Sequence, residues 1–235
     1  MSFPSVNLAS LGAIDESSNY ANKTNSRLIF ESQVTKVKVI FKAYVRSLSH
    51  DFASTWTSEN VFGRMDPIAT FQGTVRKVSL SFDILAASLE EAKANVKAIG
   101  SFTSMLYPGY KSNPSAIGEE GVTSEQQTLS GNVTGVTANS ISRSPLIKMK
   151  FTNLVQDSGG GLLLGWIDGL TFEQTVDSGV FIQNGMHYPK QFSVSITFNV
   201  LHQHDLGFDE NNDWNGDPLQ DGGYGWPFGG SDEDG

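Results

Sequence analysis

Residues 61–110, VFGRMDPIATFQGTVRKVSLSFDILAASLEEAKANVKAIGSFTSMLYPGY, contain the change of hydrophobic period on which the predicted architecture depends. Over residues 76–84, apolar and polar side chains alternate, as in a half-buried strand. Ser88 and Glu91 then fit a capping box at the start of a helix, and Pro108 ends the helical pattern. The inward strand face comprises Arg76, Val78, Leu80, Phe82 and Ile84, and the helix stripe comprises Leu89, Ala92, Val96, Ile99, Phe102 and Leu106. The stretch therefore predicts one strand and one long amphipathic helix that packs across a sheet.

Other segments with strand patterns lie on both sides of this unit. They are residues 33–46, 146–151, 164–176 and 192–200. We interpret residues 47–60, which include Phe52 and Trp56, as a loop or the end of a hairpin. Residues 109–141 are rich in Gly, Ser, Thr and Asn and predict a long loop with a strand near residues 128–136. About six or seven strands and one helix predict an α+β fold, a β-rich rolled sheet or barrel with one long amphipathic helix packed on it.

The length of 235 residues suits one domain with extended terminal arms. We expect an N-terminal arm over residues 1–26, a domain over 27–208 and an acidic, aromatic C-terminal arm over 209–235. Of the 25 acidic residues, eight lie in residues 209–235 with no base among them, so the remaining 17 face all 16 basic residues. The predicted domain is therefore nearly neutral, and a basic surface for nucleic acid is not supported.

Several functional classes are excluded or disfavoured by composition. The chain has no cysteine, which excludes disulfides, thiolate catalysis and zinc–thiolate sites. Its N-terminus, MSFPSVNLAS, lacks the basic and apolar regions of a signal peptide, and no apolar run approaches the ~18 residues of a membrane span. We expect a soluble protein without a membrane partner.

Catalytic and metal-binding motifs are weak in this sequence. The histidines are His50, His187, His202 and His204, and no Gly-x-Ser-x-Gly or His-Glu-x-x-His motif accompanies them. His202 and His204 are either a metal pair or polar residues at a strand end. Residues 211–217 imitate the first half of a calcium loop, but Gly222 stands where a bidentate glutamate is needed. We expect no enzymatic activity, no cofactor and no metal.

A resemblance to a known family lies in the first part of residues 61–110. Phe62-Gly63-Arg64-Met65-Asp66-Pro67, then Phe71-Gln72-Gly73, then a strand and a helix, resembles a pattern in small tail proteins of contractile-tailed bacteriophages. The pattern occurs in phage P2-type tail proteins and in baseplate hub proteins that carry LysM domains, which are variants of the tail-tube fold. Asp66 is inserted relative to the family pattern, which leaves the subfamily open.

The resemblance implies a structural protein of the virion. Tail-tube-fold subunits join their sheets around a ring, usually a hexamer, with the helix outside and DNA passing through the lumen without specific binding. We expect a tube-initiating or hub-proximal ring subunit that joins the baseplate to the tail tube, assembled in the host cytoplasm. Its partners would be other copies of itself and the adjacent tube and hub proteins. The alternative within this class is a major tail tube or tail-completion protein.

Eight residues are candidates for interfaces between subunits. They are Phe3, Leu8, Lys38, Lys42, Trp56, Trp214, Tyr224 and Trp226. The alternative of another class is a β-rich binding module that grips a carbohydrate or a calcium-bridged ligand with its tryptophans. These are Trp56, Trp166, Trp214 and Trp226.

Overall fold

The computed structural model describes residues 27–42, 44–111, 140–157, 159–212, 214–215 and 226–228. The strands in this part are β1 (Arg27–Ser32), β2 (Lys38–Lys42), β3 (Tyr44–Glu59), β4 (Ile68–Leu85), β5 (Gly109–Lys111), β6 (Ser140–Arg143), β7 (Ile147–Phe151), β8 (Leu163–Gln174), β9 (Val180–Gln183), β10 (Met186–Pro189) and β11 (Gln191–Val200). One α-helix, α1 (Leu89–Ser104), follows β4, and a 3₁₀ turn occupies Val176–Ser178. The predicted α+β class is confirmed.

One large antiparallel sheet organises these elements. Its strand order is β2-β1-β7-β8-β11-β4-β3, while β5 with β6 and β9 with β10 form separate two-stranded ribbons. The sheet is open, with β2 at one edge and β3 at the other. Three of the six neighbour pairs in this sheet join strands that are not consecutive in the chain, and one of them pairs β11 with β4 from Gln191↔Leu85 to Asn199↔Lys77.

The end of one edge strand lies near the start of the other, although the two strands do not pair and the sheet remains open. Strand β2 ends at Lys42 and β3 begins at Tyr44, so a single residue separates the two edge strands. Two consecutive peptide units span at most ~7.6 Å, whereas seven strands laid flat would hold their edges ~29 Å apart. The sheet must therefore curl until the end of β2 approaches the start of β3.

The core lies between the inner face of this curled sheet and helix α1. Phe102 of the helix lies 4.3 Å from Phe30 and 5.8 Å from Phe41, measured between ring centroids. Each fully buried Phe contributes about 1.5–3 kcal/mol of apolar burial. The other buried strand residues include Leu28, Val39, Val78, Leu80, Phe82, Ile84, Ile147, Met149, Leu163, Phe192, Val194, Ile196 and Phe198. Residues 76–84 and 192–200 thus alternate as predicted, because one face of each strand is buried.

The helix confirms the predicted cap and corrects one predicted core residue. Ser88 Oγ accepts a hydrogen bond from the Glu91 backbone N–H at 3.2 Å, and Glu91 Oε2 accepts one from the Ala87 N–H at 2.8 Å. The expectation that Val96 lies in the core is wrong, because Val96 is 39% exposed. Asn95 is buried in its stead and donates from Nδ2 to the Leu85 carbonyl at 3.1 Å.

The N-terminal strand assignments need correction as well. Residues 33–46 are not one strand, because a turn precedes β2, and β2 pairs with β1 whereas β3 pairs with β4. Strand β1 was not predicted. Of the two interpretations of residues 47–60, the loop is wrong, since β3 runs to Glu59 and belongs to a hairpin with β4. The strand expected near residues 128–136 lies outside the described residues.

Replacing the helix cap should weaken the domain measurably. Ser88→Ala removes the acceptor for the Glu91 N–H, and loss of such a cap costs about 1 kcal/mol. We expect the midpoint of urea unfolding, followed by circular dichroism, to fall accordingly. The control is Ser101→Ala inside the same helix, which replaces a serine by a better helix former and should leave stability equal or slightly higher. Equal losses in the two variants would contradict the capping role.

Candidate assembly surface

The most distinctive surface of the protein is the outer part of the β3–β4 hairpin. The two strands pair from Tyr44↔Asp83 to Glu59↔Ile68, whereas β11 pairs with β4 only over residues 77–85. Beyond that point, β3 and β4 pair only with each other among the described strands. We name residues 52–75 the outer hairpin. All its residues from 52 to 72 are exposed, and eight residues of strand at ~3.3 Å each carry it about 26 Å beyond the sheet.

The outer hairpin has almost no charge on its strands. Residues 52–58 and 67–75 contain no Asp, Glu, Lys or Arg. Trp56, 59% exposed, packs edge-on against Phe71 with 5.1 Å between ring centroids. Further exposed apolar side chains are Val61, Phe62, Met65, Ile68 and Val75, with Phe62 and Met65 fully exposed in the turn. Exposed apolar surface of this extent marks an interaction site on a folded protein.

Strand β3 is also an edge of the sheet. Its outward backbone N–H and C=O groups face no other strand in the described part of the chain. Protein edges are usually protected by Lys, Pro or a very short strand. The outer part of β3 has no Lys or Pro, although one register shift lies between Thr55 and Trp56. The outer hairpin therefore combines unpaired main-chain groups with apolar side chains, which is the chemistry of strand addition.

The opposite edge, β2, differs in character. It has only five residues, with a lysine at each end. Lys38 is largely exposed and pairs with Glu31, Nζ to Oε2, at 3.1 Å. Lys42 is mostly buried and pairs with Glu91 of helix α1. Of these two predicted interface residues, Lys38 is accessible to a neighbour, while Lys42 links the sheet to the helix.

The other predicted interface residues divide into two groups. Phe3, Leu8 and Tyr224 lie outside the described residues. Trp214 and Trp226 pack on each other with ring centroids 5.6 Å apart, and Trp226 also packs on Phe52 at 5.2 Å. Trp226 thus contacts this same chain at the root of the outer hairpin, where Phe52 lies, and Trp214 packs on Trp226 and on Phe208. Trp56 alone of the predicted tryptophans belongs to the outer hairpin itself.

Beneath Trp226 lies Arg76, which sequence analysis placed on the inward face of β4. The residue is 2% exposed, and burial lowers the pKa of its guanidinium to about 10. The group therefore remains a cation at neutral pH. Its Cζ lies 5.7 Å from the Phe52 ring centroid and 5.4 Å from that of Trp226. Aromatic faces thus surround the buried cation.

The metal-binding candidates of the sequence are His202, His204 and the calcium-like segment, residues 211–217. Across the described segments, no group of three His, Asp or Glu side chains is placed to hold a metal ion. His202 and His204 have ring centroids 6.2 Å apart. Of the calcium-like segment, Asp213 and residues 216–222 lie outside the described part, and Asn211 donates its backbone N–H to Asp209 at 2.8 Å.

The described residues include no helix with the length and apolar character needed to cross a membrane.

No protein-family model matches the chain, and no curated protein matches it.

Proposed function

We propose that this chain is a structural protein of a contractile phage tail, a ring subunit that joins the baseplate to the tail tube. The observation that carries the proposal is the outer hairpin, which has an exposed edge strand, strands without charged residues over 52–58 and 67–75, and the exposed apolar side chains of Phe62 and Met65 in its turn. The residues behind the family resemblance lie there. Residues 62–67 form its turn, and Phe71-Gln72-Gly73 lies on the returning strand.

The proposed fold is a tail-tube-like barrel with helix α1 as its lid. The curled sheet whose edges meet around residue 43, and the single helix packed on Phe30 and Phe41, support it. In a ring, the outer hairpin of one copy would lie on the next copy, so that the β3 edge gains a strand partner. Such head-to-tail contacts form a closed ring when the rotation between copies permits.

This function requires no reaction, cofactor or metal from the chain. Main-chain hydrogen bonds along β3 would provide the affinity, and Phe62 and Met65 of the turn would fix the register on the neighbour. DNA would pass through the lumen without specific binding, consistent with a domain whose acidic and basic residues nearly balance. We favour a tube-initiating or hub-proximal ring over the major tube protein, because the resemblance is to that group and terminal arms suit a junction of unlike rings.

The mass and shape of the purified protein test this function. We expect native mass spectrometry to find assemblies well above the 25.5 kDa of one chain, with a hexamer at 153 kDa, six times that mass. Negative-stain images should show rings or short stacked tubes. A protein that remains a monomer at high concentration would contradict the proposal. A monomer that binds a carbohydrate would favour the binding module, and turnover of a substrate would favour an enzyme.

A further inference from the structure

A buried arginine without a carboxylate partner lies at the root of the outer hairpin. Arg76 forms no ion pair within the described part of the chain, and its Nε has no hydrogen-bond partner there. Its Nη2 donates instead to Nδ1 of His50 on β3, at 3.1 Å. The remaining contacts of its guanidinium are with aromatic faces. Cation–π contacts of this kind are strongest when water is excluded.

The C-terminal part of the chain covers this arginine. We name residues 226–228 the aromatic clip. Trp226 lies over Arg76 and packs on Phe52, and Phe228 meets the His50 ring edge-on with 5.9 Å between centroids. Trp226 also lies 6.0 Å from the His202 ring. The clip thus joins the hairpin root to the segment that follows β11.

The hydrogen bond between Arg76 and His50 fixes the protonation state of this histidine. Because the guanidinium can only donate, His50 Nδ1 must accept and therefore carries no proton. The neutral ring then holds its proton on Nε2, a buried atom without a partner among the described residues. A second proton would have to bind Nδ1, where it would break the bond and face a cation. Burial, followed by the charge of Arg76, accordingly lowers the pKa of His50.

The charge of Arg76 also acts on His202. Its pKa is lowered by burial first, then by Arg76 and His204, and only Asp157 raises it, as the last and smallest influence. Among the described residues, the charged and titratable groups around the clip are Arg76, the histidines at 50, 202 and 204, and Asp157. Protonation of His50 and His202 would add two positive charges beside Arg76, and Asp157 is the one acid of the described part that acts on them.

We propose that the aromatic clip is a pH-dependent latch, which holds the hairpin root at neutral pH and leaves it when His50 and His202 take up protons beside Arg76. Burial and the charge of Arg76 lower the pKa of both histidines from the ordinary value of 6.5. Phe228 and Trp226 of the clip pack on the two imidazole rings and contribute to this burial. The stabilisation of the docked clip is therefore complete above pH 6.5 and is lost as the pH falls through the lowered values. Release would uncover Arg76 and increase the exposure of Phe52, which Trp226 partly covers. This inference concerns a single chain and does not depend on the proposed function.

Hydrogen exchange of the full chain, read by mass spectrometry, tests the latch. Rates are compared at about pH 7.5 and about pH 5 after correction for the intrinsic pH dependence of exchange. We expect the peptide containing Trp226 and Phe228 to exchange tenfold or more faster in acid, where tenfold corresponds to about 1.4 kcal/mol. Peptides from β11 must keep their protection, which shows that the domain remains folded. Unchanged exchange of the clip peptide would overturn the proposal.

Variants separate the two histidines from general effects of acid. His50→Gln with His202→Gln retains an acceptor for Arg76 but cannot take up a proton, so its clip should stay protected at both pH values. His187→Gln is the matched control, because His187 is exposed on β10 and should respond to acid like the wild type. Trp226→Ala removes the ring that packs on Arg76 and Phe52, so its exchange rate is the reference for a released clip.

Each remaining outcome is decisive. An acid response of full size in the double variant would overturn the latch. If the double variant is already released at neutral pH, the single variant His202→Gln decides, since His202 forms no hydrogen bond through its side chain within the described residues. A reduced acid response of that single variant would support the latch, and an unchanged response would refute it.

Discussion

Phe102→Asp should abolish folding of the domain. Phe102, on helix α1, is 1% exposed and packs against Phe30 and Phe41 of the sheet. Removing a buried Phe side chain costs about 3–5 kcal/mol, and burying a carboxylate without a partner costs several more. Small domains have only about 5–15 kcal/mol of stability in total. Far-ultraviolet circular dichroism and urea titration should therefore find no cooperative unfolding transition in the variant.

Val96→Asp is the matched control on the same helix. Val96 lies on the accessible side of α1, beside a groove that Tyr107 and Phe172 also line. A carboxylate there remains solvated and lies three residues from Lys93, while Val and Asp have similar helix propensities. We expect a loss of stability below about 1 kcal/mol. A folded Phe102→Asp variant, or equal damage from both substitutions, would refute the assignment of the helix face.

The parts of the fold that sequence reasoning predicted correctly are those with one buried face. Residues 76–84 and 192–200 alternate because their strands line the core, and the capping box precedes a helix whose Ala92, Ile99 and Phe102 are buried. In each element the hydrophobic period reports burial directly. Val96 was misplaced because Asn95, a polar residue, occupies the inward position and is satisfied by the Leu85 carbonyl.

Few sequence features mark the boundaries between β1, β2 and β3. The turn after β1 contains Lys36 at φ 57°, with a hydrogen bond from its N–H to the Ser32 carbonyl at 2.9 Å. Turns with positive φ usually contain Gly or Asn, and neither is present here. Strand β2 pairs with β1, whereas β3 pairs with β4. A periodicity that records burial does not record which strand lies alongside.

The two strands of the outer hairpin were not predicted, for a different reason. Both of its faces are exposed, so its strands have no buried period to detect. Its composition carried the available information: residues 52–58 and 67–75 lack charge and are rich in Thr, Phe, Trp and Val, which favour strands. The cluster around Arg76 could not be predicted, because it joins residues that are far apart in the chain, as in the contact of Arg76 with Trp226, 226 − 76 = 150 positions later.

Phe62→Glu combined with Met65→Glu should abolish assembly while leaving the single chain folded. Both side chains are fully exposed in the turn of the outer hairpin, so the free chain loses no contact. In the proposed ring they would be buried on the neighbouring copy, where each apolar side chain contributes about 1.5–3 kcal/mol and an unpaired carboxylate opposes burial. We expect association at least about 100-fold weaker, corresponding to roughly 2.7 kcal/mol, measured by sedimentation and native mass spectrometry.

The same two charges placed elsewhere provide the control. Ile182→Glu with Met186→Glu also replaces two exposed apolar residues, but on the β9–β10 ribbon, outside the proposed contact. This variant has the same net charge and should assemble like the wild type. If both pairs weaken assembly equally, general charge repulsion explains the effect. If the Phe62 and Met65 variant still forms rings, the outer hairpin is not the contact between copies, because the most exposed apolar surface of the chain would then contribute nothing to association.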